Sequence, residues 1–531
     1  MPGHFLRRYA VAAVLALPAA GCLCGAAAAQ SPVYLTSSYV TLAASAEQAR
    51  LCQPGGAFPR QWTWDAAKTA PKPRYALSAD KLTPKIEQYR AGALIATWRS
   101  LGSDPATCDF GNPGAATPVD LTKAAASGCG PFGNYPHVDL WNVMEDGDEF
   151  LVYPAVYRGP TNNIVLIGKP RYWTGPVHSP ANVAIRGVTQ NGVRPLLYRN
   201  DGGQGDFATA QGAIYFAQAA NVTVQNIDVI LGPQGLVGKA GIYINQASNL
   251  TLRDMLIRDF AWQANGADGQ NGVFSTGNAT GTLTLDQIEA YNNGGPNGPT
   301  HNFYINASAA DPNFTVRLTN SWSHDAVYGH TFKSRAQVNV AIGNYFQGGL
   351  PNTAKGQTQA ENYLLDMPNG GRATVLDNVF VKNASGPNSN AMSLTFAMEG
   401  IVDARPQALT VRNNTFVALA ELYDGFHQIY PLSFFYPNVI PGTAQWPASI
   451  AYSVRDNLFV GYCPTSTTYL PSGNYRGDVA VTAAFPEINA DFSLKTKYSP
   501  AGDTSAVGLP VYNHVTRAGG VRAAPTMGAR D

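Results

Sequence analysis

The chain has 531 residues, with 36 Lys and Arg against 35 Asp and Glu, so its formal net charge is only +1. This balance argues against a polybasic nucleic-acid-binding protein, and we expect no nucleic-acid partner. Hydrophobic residues make up 45% of the chain, which excludes a mostly disordered protein.

The first thirty residues have the layout of a secretory signal peptide. Arg7 and Arg8 precede an apolar run over 9–20, and a tract of small residues follows over 26–29. We predict cleavage after Ala29, and therefore a secreted or periplasmic protein, with a lipoprotein anchored through Cys22 as the alternative. The apolar run is shorter than the ~20 residues of a membrane span, and no later run is longer, so we expect no transmembrane segment.

Four cysteines follow the predicted cleavage site, namely Cys52, Cys108, Cys129 and Cys463. An even number in an exported chain predicts one or two disulfides, and the sequence does not choose among the pairings. Three of the four lie in a segment over 30–145 that we interpret as an N-terminal extension. Within this segment the pattern over 78–98 predicts a helix.

The middle of the chain repeats one unit, a short apolar strand, a polar turn and a second short strand that ends near Asn or Asp. Full copies lie at 213–230, 241–260, 272–290, 302–323 and 330–346, and shorter ones at 372–380, 408–416 and 449–459. The second strands carry the landmarks Asn226, Asp254, Asn320, Asn344, Asn378, Asn414 and Asn457. We expect these residues at equivalent corners, where Asn tolerates left-handed backbone and can hydrogen-bond along the stack.

Short strands that recur at a period above twenty residues predict a parallel β-solenoid, whose coils bury their apolar side chains by stacking about 4.8 Å apart. A β-propeller would need hairpin turns between antiparallel strands, and those are sparse here. A β-sandwich would not repeat one unit in this way. We predict a signal peptide over 1–29, an N-terminal extension over 30–145, the solenoid over 146–470 and a C-terminal cap over 471–531. Such a capped solenoid is expected to be a monomer.

The stack, with the tail phrases DFSLKTKYSPAGD (491–503) and PTMGA (525–529), resembles the right-handed parallel β-helix proteins of the pectate-lyase-like superfamily. The resemblance covers roughly 145–530. It implies an all-β, right-handed parallel β-helix with a long polysaccharide-binding face. It does not imply one activity, because the scaffold carries lyases, hydrolases, epimerases, esterases and adhesins.

Polar side chains concentrate in one stretch, 300–340, and in two short segments after it. The stretch contains His301, Tyr304, His324, Tyr328, His330, Lys333 and Arg335, and the segments add Asp366, Asn369 and Glu399. When the first strands of successive coils are aligned, Tyr304, Lys333 and Asp366 fall at the same position, and Glu399 falls near it one coil later. Side chains at one position of a solenoid form a ladder, so these residues are predicted to line one groove, with His301 and His330 beside them.

Such a groove suits proton abstraction next to the carboxylate of a uronic acid, the first step of β-elimination. The reaction needs a cation that neutralises the carboxylate, a base that takes the proton and an acid for the leaving oxygen. Arg335 is the predicted neutraliser, Lys333 or His330 the base, and Tyr304 the acid or an alternative base. His301 and His324 are further catalytic candidates, and Asp366, Asn369, Glu399 and Tyr328 are candidates for substrate binding.

The predicted function is therefore an exported polysaccharide lyase, or a C5-epimerase, that acts on an anionic, uronate-containing polysaccharide. A Ca²⁺ ion held by Asp366 and Glu399 is the alternative neutraliser. The motifs of Ca²⁺-dependent pectate lyases are absent, as are the Arg-His-Gly and Asn-Gly-Thr-Glu phrases of related enzymes, so substrate and metal requirement stay open. Two alternatives are a glycoside hydrolase that uses Asp366 and Glu399 as paired carboxylates, and a non-catalytic carbohydrate-binding surface or matrix protein.

Overall fold

The computed structural model describes nineteen segments of the chain, from the middle of the predicted N-terminal extension to the C-terminal region. They are residues 85–100, 108–109, 140, 144–159, 165–168, 180–199, 212–232, 239–261, 270–295, 299–349, 361–382, 393–399, 405–418, 432–434, 451–455, 457–460, 475–477, 510–513 and 518–521. The predicted signal peptide, the tail phrases and all cysteines except the backbone of Cys108 lie outside these residues.

The described residues form thirty-four strands and no α-helix. The strands are β1 Lys85–Arg90, β2 Ala93–Ser100, β3 Cys108–Asp109, β4 Asp148–Val152, β5 Val156–Gly159, β6 Val165–Gly168, β7 Ala184–Gly187, β8 Leu196–Arg199, β9 Gly212–Ala220, β10 Thr223–Gln225, β11 Asp228–Leu231, β12 Ala240–Arg253, β13 Leu256–Arg258, β14 Asn271–Ser275, β15 Thr280–Asp286, β16 Glu289–Tyr291, β17 Phe303–Ile305, β18 Thr315–Thr319, β19 Trp322–His324, β20 Phe332–Ser334, β21 Val338–Ile342, β22 Tyr345–Gln347, β23 Leu365–Met367, β24 Arg372–Leu376, β25 Val379–Lys382, β26 Leu394–Phe396, β27 Ala408–Arg412, β28 Thr415–Ala418, β29 Leu432–Phe434, β30 Ala451–Arg455, β31 Leu458–Val460, β32 Tyr475–Gly477, β33 Pro510–Asn513 and β34 Ala518–Val521. Within this described part of the chain, no helix has the length and apolar character needed to cross a membrane.

The strands from β4 to β32 stack into three parallel ladders. Ladder A contains β6, β9, β12, β14, β17, β20, β23, β26 and β29. Ladder B contains β4, β7, β10, β12, β15, β18, β21, β24, β27 and β30. Ladder C contains β5, β8, β11, β13, β16, β19, β22, β25, β28, β31 and β32. Most coils place one strand in each ladder, and β12 is long enough to serve both A and B. The predicted parallel β-helix is therefore confirmed, and its right-handed sense stays a prediction.

The sequence pattern did not separate ladder C from ladder B, because the corner between these two ladders takes only two residues. The first corner residue has left-handed backbone, with φ of 58° at Asn226, 53° at Asn320 and 66° at Gly343. Left-handed backbone is tolerated by Gly and Asn, so these types mark the corner. The chain thus turns sharply inside what reads as one continuous strand.

The Asn landmarks belong to two neighbouring columns rather than one. Asn226, Asp254 and Asn320 adopt the left-handed corner conformation. The second corner position forms a buried amide ladder of Asn344, Asn378, Asn414 and Asn457. The two roles expected of a single residue, backbone geometry and stacking, are therefore divided between adjacent positions.

Each amide in the buried ladder is bonded on both sides. Asn378 Nδ2 donates to Asn414 Oδ1 and to the carbonyl of Ala341, both at 2.9 Å. Asn378 Oδ1 accepts from the backbone N–H and the Nδ2 of Asn344, again at 2.9 Å. A buried amide costs free energy unless its donors and acceptors are paired, and here the pairing also fixes the coil spacing.

Side chains alternate between the interior and the outer surface along each strand. In ladder A the inward positions are apolar, for example Phe303, Ile305 and Phe332, which belong to one continuous core. Ladder C adds a column of nearly parallel rings, with Phe346 and Phe380 5.0 Å apart and Phe380 and Phe416 4.6 Å apart. The core is therefore continuous along the stack, and the outward positions are left for function.

The predicted helix over 78–98 is wrong where the chain is described. β1 and β2 form an antiparallel hairpin, and β1 pairs antiparallel with β4 at the start of ladder B. The hairpin turn is Ala91–Gly92, with φ of 50° and 80°. Two consecutive positive φ values are typical of a type I′ hairpin turn. Pairing with the edge of β4 and the Arg90–Asp148 ion pair, at 2.7 Å, outweigh the local helix propensity.

Replacing Asn378 by Ala should destabilise the protein by about 3 kcal/mol or more, because it leaves several buried groups of neighbouring coils without their partner. Urea unfolding followed by circular dichroism measures this loss. Asn249→Gly is the matched control, since Asn249 belongs to an exposed amide ladder and has φ of 53°. The control should change stability by less than about 1 kcal/mol, and equal losses would contradict a special role for the buried ladder.

Candidate functional site

The outer column of ladder A brings the predicted ladder residues onto adjacent strands. The strand register pairs Tyr304 with Lys333 and Lys333 with Asp366, as the alignment of first strands predicted. Over seven consecutive strands this outer column runs Tyr215, Tyr243, Phe274, Tyr304, Lys333, Asp366 and Thr395. Four aromatic rings, spaced 5.4–5.5 Å apart, therefore precede one cationic and one anionic side chain in this column. Tyr215 and Tyr243 are buried, and Phe274 and Tyr304 are half-buried.

Lys333 lies between two carboxylates. Its Nζ is 2.7 Å from Glu399 Oε1 and 3.4 Å from Asp366 Oδ2. Glu399 follows β26 rather than lying in it, so its side chain reaches this point from the loop and not from the outer column. Both contacts stabilise the positive charge of the ammonium group.

Arg335 follows directly after β20 and spreads its guanidinium over three partners. Nε donates to Tyr304 Oη at 3.2 Å, Nη1 donates to Asn369 Oδ1 at 2.7 Å, and Nη2 donates to Glu399 Oε2. Lys333 and Arg335 thus bind the two oxygens of one carboxylate, and we call this pair of cations the clamp. The fork of guanidinium donors suits this planar recognition.

The backbone of Arg335 is itself held by Arg405, a residue that the sequence did not single out. Arg405 Nη1 donates to the carbonyl of Arg335 at 2.8 Å and to that of Ala336 at 3.2 Å. Arg405 is 70 positions away in the chain. No local motif connects the two residues, so only the stacking of coils shows this contact.

His301, His330 and Tyr363 form a second stack beside the clamp. The rings of His301 and His330 are 4.6 Å apart, and those of His330 and Tyr363 are 4.9 Å apart. His301 Nδ1 accepts the backbone N–H of His330 at 2.8 Å, and His330 Nδ1 accepts the backbone N–H of Tyr363 at 3.1 Å. Because a backbone N–H occupies each Nδ1, the proton of each neutral ring is carried on Nε2.

Both histidines are held neutral. Burial is the largest cause that lowers the pKa of His301 and of His330 well below the usual 6.5, and the positive charges of Lys333 and Arg335 act in the same direction on both. The Nε2 of His330 faces Asp366 Oδ2 at 3.4 Å. With Nδ1 occupied and Nε2 protonated, His330 has no lone pair for a substrate proton, so its predicted role as the base does not fit this arrangement.

The two carboxylates of the site have opposite pKa shifts. Burial raises the pKa of Asp366, although Lys333 and the hydroxyl of Thr395 act against it. Partial burial also opposes the charge of Glu399, but the hydrogen bonds and charges of Lys333 and Arg335 outweigh it and lower that pKa. The site therefore has one buried carboxylate and one strongly ionised carboxylate at its surface.

These residues do not fit the predicted Ca²⁺ site. The ammonium of Lys333 lies where a cation shared by Asp366 and Glu399 would have to bind. Among the described residues, no three His, Cys, Asp or Glu side chains are grouped as metal ligands. Ca²⁺ takes six to eight oxygen ligands, and this set of donors offers far fewer.

The structure thus brings together eight of the predicted site residues and places two elsewhere. The eight are His301, Tyr304, His330, Lys333, Arg335, Asp366, Asn369 and Glu399. His324 belongs to ladder C, where its ring lies between Tyr291 and Trp322 and its Nδ1 is 2.5 Å from Asp325 Oδ2. Tyr328 packs with Ala261 and Val327 in an apolar cluster.

A buried ion pair supports the segment that leads into β23. Lys382 Nζ is 2.7 Å from Glu361 Oε1 and donates to the carbonyls of Glu361 and Asn362, each at 2.7 Å. Glu361 Oε2 accepts the backbone N–H of Gly349 at 2.7 Å. Both side chains are fully buried, and the bonds fix the backbone just before Tyr363, whose N–H orients His330.

Replacing Lys382 by Met should destabilise the protein by about 3–5 kcal/mol, because it leaves the Glu361 carboxylate buried without a cation. The double variant Lys382→Met with Glu361→Leu should recover part of this loss in urea unfolding. Lys85→Met is the control, since Lys85 pairs with Glu87 at a more exposed position and should contribute at most about 1 kcal/mol. A double variant less stable than the single one would contradict this account.

The histidines should respond to pH with opposite signs. Folded His301 and His330 have lowered pKa values, so the stability they contribute is present above 6.5 and is lost as pH falls below it. Burial opposes the charge of His324, but its hydrogen bond to Asp325 and the negative charges of Asp325 and Glu289 raise its pKa, so its contribution is present below 6.5 and is lost as pH rises through the folded value.

Urea unfolding at about pH 8 and about pH 5 measures these contributions. The variant His330→Gln should lose less stability on acidification than the native chain, whereas His324→Gln should lose more. A shift in the same direction for both variants would show that the assigned environments are wrong.

Comparisons with known proteins do not assign the chain to a family. Searches against protein-family models, curated proteins and solved structures each found no match. The described coils are those of a parallel β-helix, and the chemistry of the clamp rests on its own contacts.

Proposed function

We propose that the protein is an exported enzyme that removes the proton next to the carboxylate of a uronic acid in an anionic polysaccharide. One observation carries this proposal. Lys333 and Arg335 bind both oxygens of a single carboxylate, that of Glu399, at the edge of an outward-facing column. A site that binds one carboxylate in this way has the charge and geometry to bind that of a substrate.

The clamp supplies the first requirement of the reaction. A proton next to a carboxylate is hard to remove because the resulting carbanion adds charge to a group that is already negative. Two cations on the carboxylate oxygens stabilise that extra charge as it develops. Asp366, which His330 contacts, holds Lys333 in place from the buried side, while Arg335 is oriented by Tyr304 and Asn369.

Tyr304 is the proposed proton-transfer residue. Its oxygen accepts a hydrogen bond from Arg335 Nε at 3.2 Å, so it lies next to the carboxylate-binding atoms. As phenolate it takes the proton from the carbon next to the carboxylate. The electron pair left behind forms the carbon–carbon double bond, the bond to the glycosidic oxygen breaks, and the phenol returns its proton to that oxygen.

Lysis and epimerisation share the first step and differ in the second. If the glycosidic bond breaks, the product is an unsaturated uronate; if a proton returns to the opposite face, the sugar is inverted. The polymeric substrate is supported by the half-buried rings of Phe274 and Tyr304 in the outer column and by the resemblance to the pectate-lyase-like superfamily. Export is proposed from the signal-like residues 1–29, and a monomer from the capped solenoid.

A glycoside hydrolase is the second candidate, favoured by the opposite pKa shifts of Asp366 and Glu399. Their oxygens lie 3.4 Å and 2.7 Å from the same Lys333 Nζ. The two oxygens are thus closer than the roughly 6.5–9.5 Å between the carboxyl groups of inverting enzymes, so a hydrolase would be of the retaining type. The ammonium between them leaves the lyase or epimerase as the better fit.

The proposed function predicts that Tyr304→Phe lowers kcat by about 10²–10⁴-fold, because the transferred proton loses its acceptor. Arg335→Gln should lower kcat/KM by about 10²–10³-fold, because it removes one cation from the developing charge. The assay is incubation with a panel of uronate polymers, with ultraviolet absorbance for the unsaturated product and deuterium uptake from solvent for epimerisation.

Arg186→Gln is the matched control, because Arg186 forms an exposed ion pair with Glu149 and should leave the rate unchanged. Reducing sugar released without unsaturation or deuterium uptake would favour the hydrolase. Binding of uronate polymers without any turnover would favour the non-catalytic carbohydrate-binding protein, and would overturn the proposed enzyme.

A further inference from the structure

We propose that Glu399 is an internal stand-in for the substrate carboxylate, which keeps the clamp occupied until a ligand carboxylate replaces it. This inference rests on the proposed function and assigns to Glu399 a role in specificity rather than in proton transfer. Glu399 would then select ligands, since an anionic group such as a carboxylate can take its place, whereas a neutral group would leave two cations with the single carboxylate of Asp366.

The contacts of Glu399 are those of a bound ligand. One carboxylate oxygen binds Lys333, and the other binds Arg335. The side chain of Glu399 is 45% exposed, whereas those of Lys333 and Arg335 are 10% and 22% exposed. The two cations are therefore mostly buried, and the carboxylate of Glu399 reaches them from the solvent side.

Asp366 is a second carboxylate in the same site, and unlike Glu399 it is fixed by burial and by hydrogen bonds. Its side chain is 3% exposed, its Oδ1 accepts the hydroxyl hydrogen of Thr395 at 2.6 Å, and its Oδ2 faces His330 and Lys333 at 3.4 Å. It lies in the outer column itself, within β23. Glu399 has none of this support, and its backbone is tied to the rest of the site through an N–H bond to the carbonyl of Pro368 at 2.9 Å.

The balance of charge favours exchange with a carboxylate. When Glu399 leaves, Lys333 and Arg335 face one buried carboxylate, so the site has an unbalanced positive charge that burial makes costly. An incoming uronate restores the balance, and a neutral sugar or a methyl ester does not. Because an internal group competes for the clamp, the measured affinity is lower than that of an open clamp.

The test is calorimetric binding of uronate oligosaccharides, drawn from galacturonate, mannuronate and glucuronate polymers, to the native chain and to Glu399→Gln. Glutamine keeps the shape of the side chain but removes the charge that competes for the clamp. We expect Glu399→Gln to bind the preferred oligouronate about tenfold more tightly. The methyl ester of the same oligosaccharide should show no gain.

Glu149→Gln is the matched control. Glu149 forms an ion pair with Arg186 at 2.6 Å and is 43% exposed, so the control removes one comparable surface charge away from the clamp. It separates a local effect from the change in net charge of the whole protein. Its affinity for the oligouronate should equal that of the native chain.

The outcomes separate this inference from the proposed function. If the native chain binds oligouronates and Glu399→Gln binds them equally or more weakly, Glu399 does not compete for the clamp and the inference is overturned, while the proposed function stands. If neither protein binds any oligouronate, the clamp is not a substrate-carboxylate site and both fail. Equal gains for Glu399→Gln and Glu149→Gln would also overturn the inference, because net charge alone would explain them.

Discussion

The register of parallel strands is the constraint on which the rest of the structure depends. In a parallel ladder each residue lies beside its counterpart in the coils before and after, about 4.8 Å away. The identity of a side chain is therefore limited by its two neighbours in the column. Lys333 lies between Tyr304 and Asp366, so that its charge meets a ring on one side and a carboxylate on the other. The same rule places the amide of Asn378 between Asn344 and Asn414.

The charged side chains in and beside the site differ in how deeply they are buried. Lys382 and Glu361 are fully buried and exhaust their hydrogen bonds on each other and on the backbone, so they can hold a segment but cannot bind a ligand. Lys333 and Asp366 are nearly as buried, but Glu399 is not. A gradient from fully buried to half-exposed charge thus runs outward through the site, and it agrees with the desolvation cost of each group.

The sequence predicted the column of Tyr304, Lys333 and Asp366 better than it predicted the structure and contacts around that column. The column Tyr304, Lys333 and Asp366 was visible because a single alignment of short strands fixes the register. The hairpin over 85–100 was not, because its strand pairing with β4 outweighs a local pattern that favours a helix. His324 was grouped with the clamp because it is near in sequence, although a coil of this fold carries neighbouring segments onto different ladders. Arg405 acts through backbone carbonyls 70 and 69 positions away, and Lys382 through carbonyls 21 and 20 positions away, and no spacing rule shows such contacts.

The neutral histidines explain why the clamp can remain the dominant charge of the groove. His301 and His330 lie beside two cations, and protonating either ring would add like charge in a buried place. The backbone N–H groups that occupy both Nδ1 atoms instead fix each ring with its proton on Nε2. The two rings are therefore neutral and fixed in orientation. His301 packs against Tyr304, and His330 contacts Asp366. Since they neither add charge nor accept a proton, the proposed function assigns anion recognition to Lys333 and Arg335, and proton transfer to Tyr304, whose hydroxyl is bonded to Arg335.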